Sequence, residues 1–287
     1  MRVVETAGSV VAGRRGGGRS GFSLVELLVV IAILGTLLSL VLPAVQSARE
    51  SARRSACASH LHSMGLALTS HESARRAFPP GSDAVTGRYH AWSSFILPFL
   101  DGESVVRRID YAKPWNDPGN VEIADLVLET YVCPSGIRSF PGKQDYGGVL
   151  GAGVMLDPSM PLPRGWDHSG VLHATDGDHP HPVRAAMITD GLSRTLLVSE
   201  GVDRGFPEMD GESRIGNSRW ACGSNCFLLS SRVINTPDVD GFRSHHRGGV
   251  HGLFADGRVA FITDDASAEA LIAACTKDGG ETAGAMP

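Results

Sequence analysis

Histidine, aspartate and cysteine are the residues of this chain whose chemistry stands out. His168, His173, His179 and His181 fall in one Gly- and Pro-rich stretch, and His245, His246 and His251 lie together nearer the C-terminus. Joined by Asp176, Asp178 and Asp256, they could supply a metal site or a general acid–base pair. None has a catalytic spacing such as H-E-x-x-H, and such residues in loops of this composition ordinarily make turns or meet solvent. The five cysteines are Cys57, Cys133, Cys222, Cys226 and Cys275, an odd number that leaves at least one thiol without a partner in its own chain. Cys222 and Cys226 are spaced for a small loop disulfide or half of a zinc site, but no second close Cys or His pair accompanies them. The residues therefore point to no catalytic group, no metal and no cofactor.

The elements that carry these residues begin with an unusual N-terminus. Arg2, Arg14, Arg15 and Arg19 stand against Glu5 in the first 21 residues, a local net charge of +3, whereas Phe22 to Pro287 carries −8. An acidic body excludes nucleic acid as the expected partner, because phosphate binding needs a sustained basic surface. A basic head beside an apolar run fits a cytoplasmic leader with an exported body. From Leu27 to Ala48 there are 22 uncharged residues, ~33 Å of helix and about one hydrocarbon core of the lipid bilayer. A plain anchor, or a signal peptide cut near Val45-Gln46-Ser47, would share this composition.

Two features weigh against that reading. Glu26 stands at the mouth of the run, where a carboxylate in lipid costs up to about 2.5–3.5 kcal/mol at mid-membrane and less near the edge. The segment also continues into a helical pattern. Cys57, Leu61, Met64 and Leu68 recur at steps of 4, 3 and 4, an apolar stripe, with Glu50 and Arg54 expected as an i, i+4 pair on the solvated side. One helix from Phe22 to about Ser73 is predicted, its first half in lipid or other helices and its second half on a globular domain.

Gly21-Phe22-Ser23-Leu24-Val25-Glu26 resembles the type IV prepilin cleavage and N-methylation signal. The resemblance implies that a prepilin peptidase cuts between Gly21 and Phe22 and methylates the new N-terminus. Glu26 becomes the fifth mature residue, where the family keeps a glutamate, and Pro43 the twenty-second, where a helix-bending proline is common. Assembly explains the pattern. Pairing the new α-ammonium of Phe22 with Glu26 of a neighbouring pilin-like subunit lowers the cost of burying either. Ala32, Gly35, Thr36 and Ser39 allow close helix approach, and Pro43 offers a bend or melting point.

Beyond the breaker Phe78-Pro79-Pro80-Gly81, a short helix or strand is expected over 92–100 and a helix over 123–128. Long loops over a sheet are expected between about Gly136 and Arg184. Strands are predicted over 186–189 and 195–199 on either side of an Asp190-Gly191 turn, and a closing helix over 266–275. Asp256-Gly257 between two apolar runs predicts a two-residue type I′ hairpin, with Phe254 opposite Val259 and Gly252 opposite Phe261. Both of its faces are apolar, which places it inside the sheet.

The body resembles a family labelled as a domain of unknown function, DUF1559, found joined to prepilin-type N-termini. The resemblance runs from Gly21 to about Glu281. It rests on Cys57 to Leu68 with Phe78-Pro79-Pro80-Gly81, on Tyr131-Val132-Cys133-Pro134-Ser135, and on Ile188 to Thr195 leading to Glu200. The most specific match is His246 followed after nine residues by Asp256-Gly257, the prepilin-processing-associated H-x9-DG motif. Arg247 replaces the commoner Pro, and Arg194 the usual Asn. By family position, Cys57 and Cys133 imply a helix-to-body disulfide. For His246 the expected role is a hydrogen bond that locks the Gly248-Gly249 loop against the sheet. Asp238-Val239-Asp240-Gly241 faintly resembles the calcium loops of some pseudopilins but lacks the ligand set of an EF-hand.

The expected architecture is α+β and pilin-like: a leader (1–21), a long N-terminal helix (22–75, spanning the membrane over 27–48), and an extracytoplasmic body (76–287) of antiparallel, loop-rich sheet with the H-x9-DG hairpin near 246–262. The expected function is non-enzymatic, a pseudopilin-like component of a type II secretion or type IV pilus-like system. It would be single-pass in the inner membrane with its leader cytoplasmic. A membrane-tethered binding or adhesive protein that uses the prepilin route without joining a filament is a second class, and a surface hydrolase built on the His/Asp loops a third.

Overall fold

The computed structural model describes residues 23–100, 102–137, 140–152, 169–202, 219–223, 226–228, 234–235 and 241–280, of which 226–228 as backbone only. The leader, the Gly21–Phe22 junction, His168, the Cys226 side chain and Asp238-Val239-Asp240 lie outside the described residues. The chain divides into two compact units, Met1–Ala48 and Arg49–Pro287, and one helix, α1 (Leu24–Arg75), contributes to both.

In the first unit α1 passes through Pro43 without interruption. Its start is an S-x-x-E cap: the Ser23 N–H donates to Glu26 Oε2 at 2.8 Å, satisfying one of the donors a helix leaves open. Leucine, isoleucine and valine side chains from Leu24 to Val45 are exposed all round. So wide an apolar surface belongs in lipid or against other helices. The hydroxyls of Thr36 and Ser39 donate back to the carbonyls of Ile33 and Thr36 at 2.8 and 2.7 Å, which removes most of their cost in an apolar medium. This is the one helix among the described residues long and apolar enough to cross a membrane.

The second unit is an α+β body. Its sheet has the order β3-β1-β2-β4-β5, with β1 Tyr146–Gly151, β2 Leu196–Glu200, β3 Cys226–Leu228, β4 Gly249–Phe254 and β5 Val259–Thr263. Four strands pair antiparallel, and the short β3 joins β1 in parallel. Side chains of opposite pleat feed two cores. Leu61, Met64 and Leu68 of α1 pack with Tyr146, Leu150, Val198 and Leu253. Val149, Leu196, Val250, Phe254 and Ile262 pack with Leu271 and Ala274 of a C-terminal helix, Ala268–Cys275, capped by the Ser267 side chain. Cys57, Leu61, Met64 and Leu68 are all buried, the stripe expected from their spacing. Leu61→Ala should therefore lower body stability by about 2–5 kcal/mol, a lost side chain plus a cavity, measurable by denaturant unfolding.

Several local expectations change. The 92–100 run is helical throughout (α2, Trp92–Ile96, then a 3-10 turn). A short α3 follows at Glu103–Val106, and the helix expected over 123–128 forms earlier, as α4, Pro118–Ala124, capped by Asp117; the C-terminal helix is α5. The predicted strand over 186–189 is a 3-10 turn, Ala185–Met187; four apolar-leaning residues do not distinguish strand from turn. Strand β1 lies within the stretch expected to be loops, where three glycines dilute its strand signal.

The hairpin register differs by one. Leu253 faces Val259, Gly252 faces Ala260 and His251 faces Phe261. Asp256 keeps negative φ, and Gly257 alone takes φ 89°. The Gly257 N–H donates to the Phe254 carbonyl and the Phe254 N–H to the Arg258 carbonyl, at 2.9 and 2.8 Å. The loop is thus three residues long, closed by a left-handed glycine and by Asp256 Oδ1 accepting from the Arg258 N–H, a type I turn with a bulge. A one-residue slip reverses which side chains face the core. Strand β4 is interior as expected, while β5 is the sheet edge.

Glu50 does not pair with Arg54 in solvent. It pairs with Arg53 at 2.5 Å, and the Arg54 guanidinium lies 4.0 Å from the Phe261 ring centroid.

His90 gives the body a pH-sensitive contact. Its Nε2 donates to the Lys113 carbonyl at 2.8 Å, while Nδ1 is buried without a hydrogen-bond partner among the described residues. Burial pushes its pKa down, against the Lys113 carbonyl and the Asp83 carboxylate. A base with a depressed folded pKa makes the unfolded chain bind protons first. Its contribution is present above the ordinary value of about 6.5 and lost as pH falls toward the folded one. Stability measured between pH 7.5 and 5.5 should decline less steeply in His90→Gln.

Candidate functional site

Four side chains from four separate segments converge beneath the sheet. Helical periodicity puts Cys57 on the buried face of α1, with Glu50 two turns before it on the same side. Cys133 follows the 3-10 turn Glu129–Tyr131, where its N–H donates to Asp145 Oδ2 at 2.8 Å. Glu200 ends β2, and His246 sits in the loop that enters β4, its N–H donating to Ser244 Oγ at 2.9 Å. One ligand-type atom from each of Cys57, Cys133, Glu200 and His246 lies within 4.8 Å of every other.

The Cys57 and Cys133 sulfurs are 2.9 Å apart as thiols. Cys133 Sγ lies 3.8 Å from His246 Nε2, which is 3.3 Å from Glu200 Oε1. The other imidazole nitrogen, Nδ1, is 2.6 Å from Glu50 Oε1. Glu200 Oε2 accepts from the His251 N–H at 2.7 Å and faces His251 Nδ1 at 3.3 Å. Arg53 holds the other oxygen of Glu50 and reaches Ser135 Oγ at 3.1 Å.

The electrostatics follow from this crowding. Burial works to raise the Glu200 carboxyl, but the imidazoles of His246 and His251 outweigh it and bring it down to about 2. Burial likewise disfavours a His246 imidazolium, yet Cys133, Glu200 and Glu50 around the ring raise it to about 10. The facing Cys57 thiol lowers Cys133 to about 6, against burial and with help from His246. Cys57 itself is raised, first by Cys133 and then by burial. The pair can thus present thiolate character, join as a disulfide, or ligate an ion.

His246 does not lock the Gly248-Gly249 loop as expected; its buried ring reaches Glu50 of α1 and Glu200 of β2. Nine residues separate it from Asp256 because strand β4 lies between. At the far end a Cβ on Gly65 would stand 2.8 Å from a Leu253 methyl and 3.7 Å from the Gly257 Cα, so the turn packs close to α1 and a side chain at position 65 would have to displace Leu253. The H-x9-DG motif is therefore one strand long, and both of its ends touch α1.

Of the other histidines, His251 joins the cluster through Glu200. Asp176 serves its own loop by accepting from the Asp178 and His179 N–H groups, and Asp256 serves the hairpin. Cys222 is buried. Glu50 and Glu200 are the participants that residue spacing did not single out as ligands, although Glu200 closes one of the quoted family segments.

A membrane-length helix capped at its start by Glu26 and continuing into an α+β body fits a prepilin-like class of protein. Residues 17–42 match the prokaryotic N-terminal methylation motif, and residues 46–269, most of the chain, match the family described as protein of unknown function (DUF1559). The chain belongs to that DUF1559 family. No curated protein and no solved structure matches it.

Proposed function

We propose that this protein is a pseudopilin-like, non-enzymatic subunit of a type II secretion or type IV pilus-like system. The observation that carries the reading is the methylation motif over 17–42 overlapping the first half of a helix whose apolar side chains from Leu24 to Val45 are exposed on every side. Prepilin peptidase removes the leader after Gly21, and the chain then crosses the inner membrane once with the body outside. In the assembled state Glu26 leaves its cap on Ser23 and pairs with the Phe22 ammonium of a neighbouring subunit. The body presents the surface through which the assembly meets its surroundings.

Co-purification of other pilin-like subunits after cross-linking in membranes tests this reading. Recovery of such subunits supports it. A chain that is processed and membrane-bound but always alone would instead be a tethered surface protein exported by the prepilin route.

A further inference from the structure

We infer that Cys57, Cys133, Glu200 and His246 form a buried site for one divalent transition-metal ion, zinc by ligand type. Two thiolates, an imidazole and a carboxylate make a donor set of borderline softness, which suits zinc in a tetrahedral, closed site. All four residues are buried, and their ligand atoms converge within 4.8 Å.

The spacings suit that geometry. With metal–ligand bonds of about 2.0–2.3 Å, tetrahedral ligand atoms stand roughly 3.3–3.8 Å apart. The observed separations are 3.3 Å from His246 Nε2 to Glu200 Oε1 and 3.8 Å from Nε2 to Cys133 Sγ. The sulfurs, at 2.9 Å, must open by roughly 0.9 Å on the same geometry, and any pair near the 4.8 Å bound of the cluster must close.

A second observation points to the same ion. Glu200 is fully buried, yet its Oε1, aimed into the cluster, accepts no hydrogen bond and has only the ion-pair contact with His246 Nε2 at 3.3 Å. A buried carboxylate oxygen left so is costly, and a cation between the four atoms satisfies it. A disulfide between the two cysteines would leave that oxygen as it is.

The surrounding groups orient the ligands as metal sites require. Glu50 Oε1 accepts from the Nδ1–H of His246 at 2.6 Å and so turns Nε2 toward the cluster. His251 holds the outer oxygen of Glu200, and Arg53 holds Glu50. On binding, the cysteine thiols and the Nε2 position give up their protons to solvent as the metal bonds form, leaving one net negative charge at the centre. The ion would tie α1, the segment after residue 131, β2 and the entry to β4 at one point.

The test is elemental analysis and thiol mapping of the full chain, purified in detergent without chelator. The expected result is about one zinc per chain, with Cys57 and Cys133 shielded from alkylation until a chelator is added. Cobalt(II) exchanged into the protein should show tetrahedral d–d and thiolate charge-transfer bands. Cys133→Ser should lose the metal. Glu50→Gln, which keeps all four ligands and so remains readable even where Cys133→Ser unfolds, should weaken zinc binding by about 10–100-fold. Either a Cys57–Cys133 disulfide in non-reducing peptide maps or two free thiols with no metal overturns the inference.

Discussion

His246→Ala is expected to lower the stability of the body by about 3–5 kcal/mol, the range for removing one partner of a buried charged group. For a domain of this size that is a fall in Tm of about 6–20 °C. The side chain touches Glu50, Glu200 and Cys133, so its removal leaves the fully buried Glu200 with His251 alone. His246→Gln should recover part of the loss through the Glu50 contact. Arg247→Ala, at an exposed neighbour, should stay within about 0.5 kcal/mol of the parent. Calorimetry on the three variants checks this, and an unchanged Tm for His246→Ala would remove the cluster from the account of stability.

Glu26→Ala should leave membrane insertion intact and weaken association with other pilin-like subunits by about a hundredfold or more. Insertion survives because Leu27 to Ala48 is unchanged and one carboxylate is removed from the edge of lipid. Association falls because an α-ammonium buried among helices loses its counter-ion, a loss of about 3–5 kcal/mol. In the chain by itself the same carboxylate only caps its own helix through Ser23, so its removal there is worth about 1 kcal/mol. Membrane fractionation and cross-linked co-purification separate the two effects. Undiminished co-purification would show that the ammonium–Glu26 pair does not hold subunits together.

What could be read in advance divides along physical lines. Periodicity is local, so α1 and its buried stripe from Cys57 to Leu68 were legible from spacing alone. So was the Asp256-Gly257 turn, though not its register, because the step from a two-residue to a three-residue loop depends on whether Asp256 adopts positive φ. Strand β1 was obscured by its glycines. The cluster was legible least of all. Its members stand at positions 57, 133, 200 and 246, and no local pattern announces that β2 ends where the loop before β4 turns inward. The family segments hold all four of its residues, each in a separate place, but the expected role for His246 points at its own loop. For Glu50 an i+4 arginine invites a surface pair, but the fold turns the carboxylate toward the body, where it meets His246.

The central claim is that this chain is matured as a prepilin, and intact-mass and N-terminal peptide mass spectrometry of the membrane-extracted protein tests it most directly. The account predicts a chain beginning at Phe22 with a methylated α-amino group. A chain still beginning at Met1, or one beginning near Ala48, would contradict it.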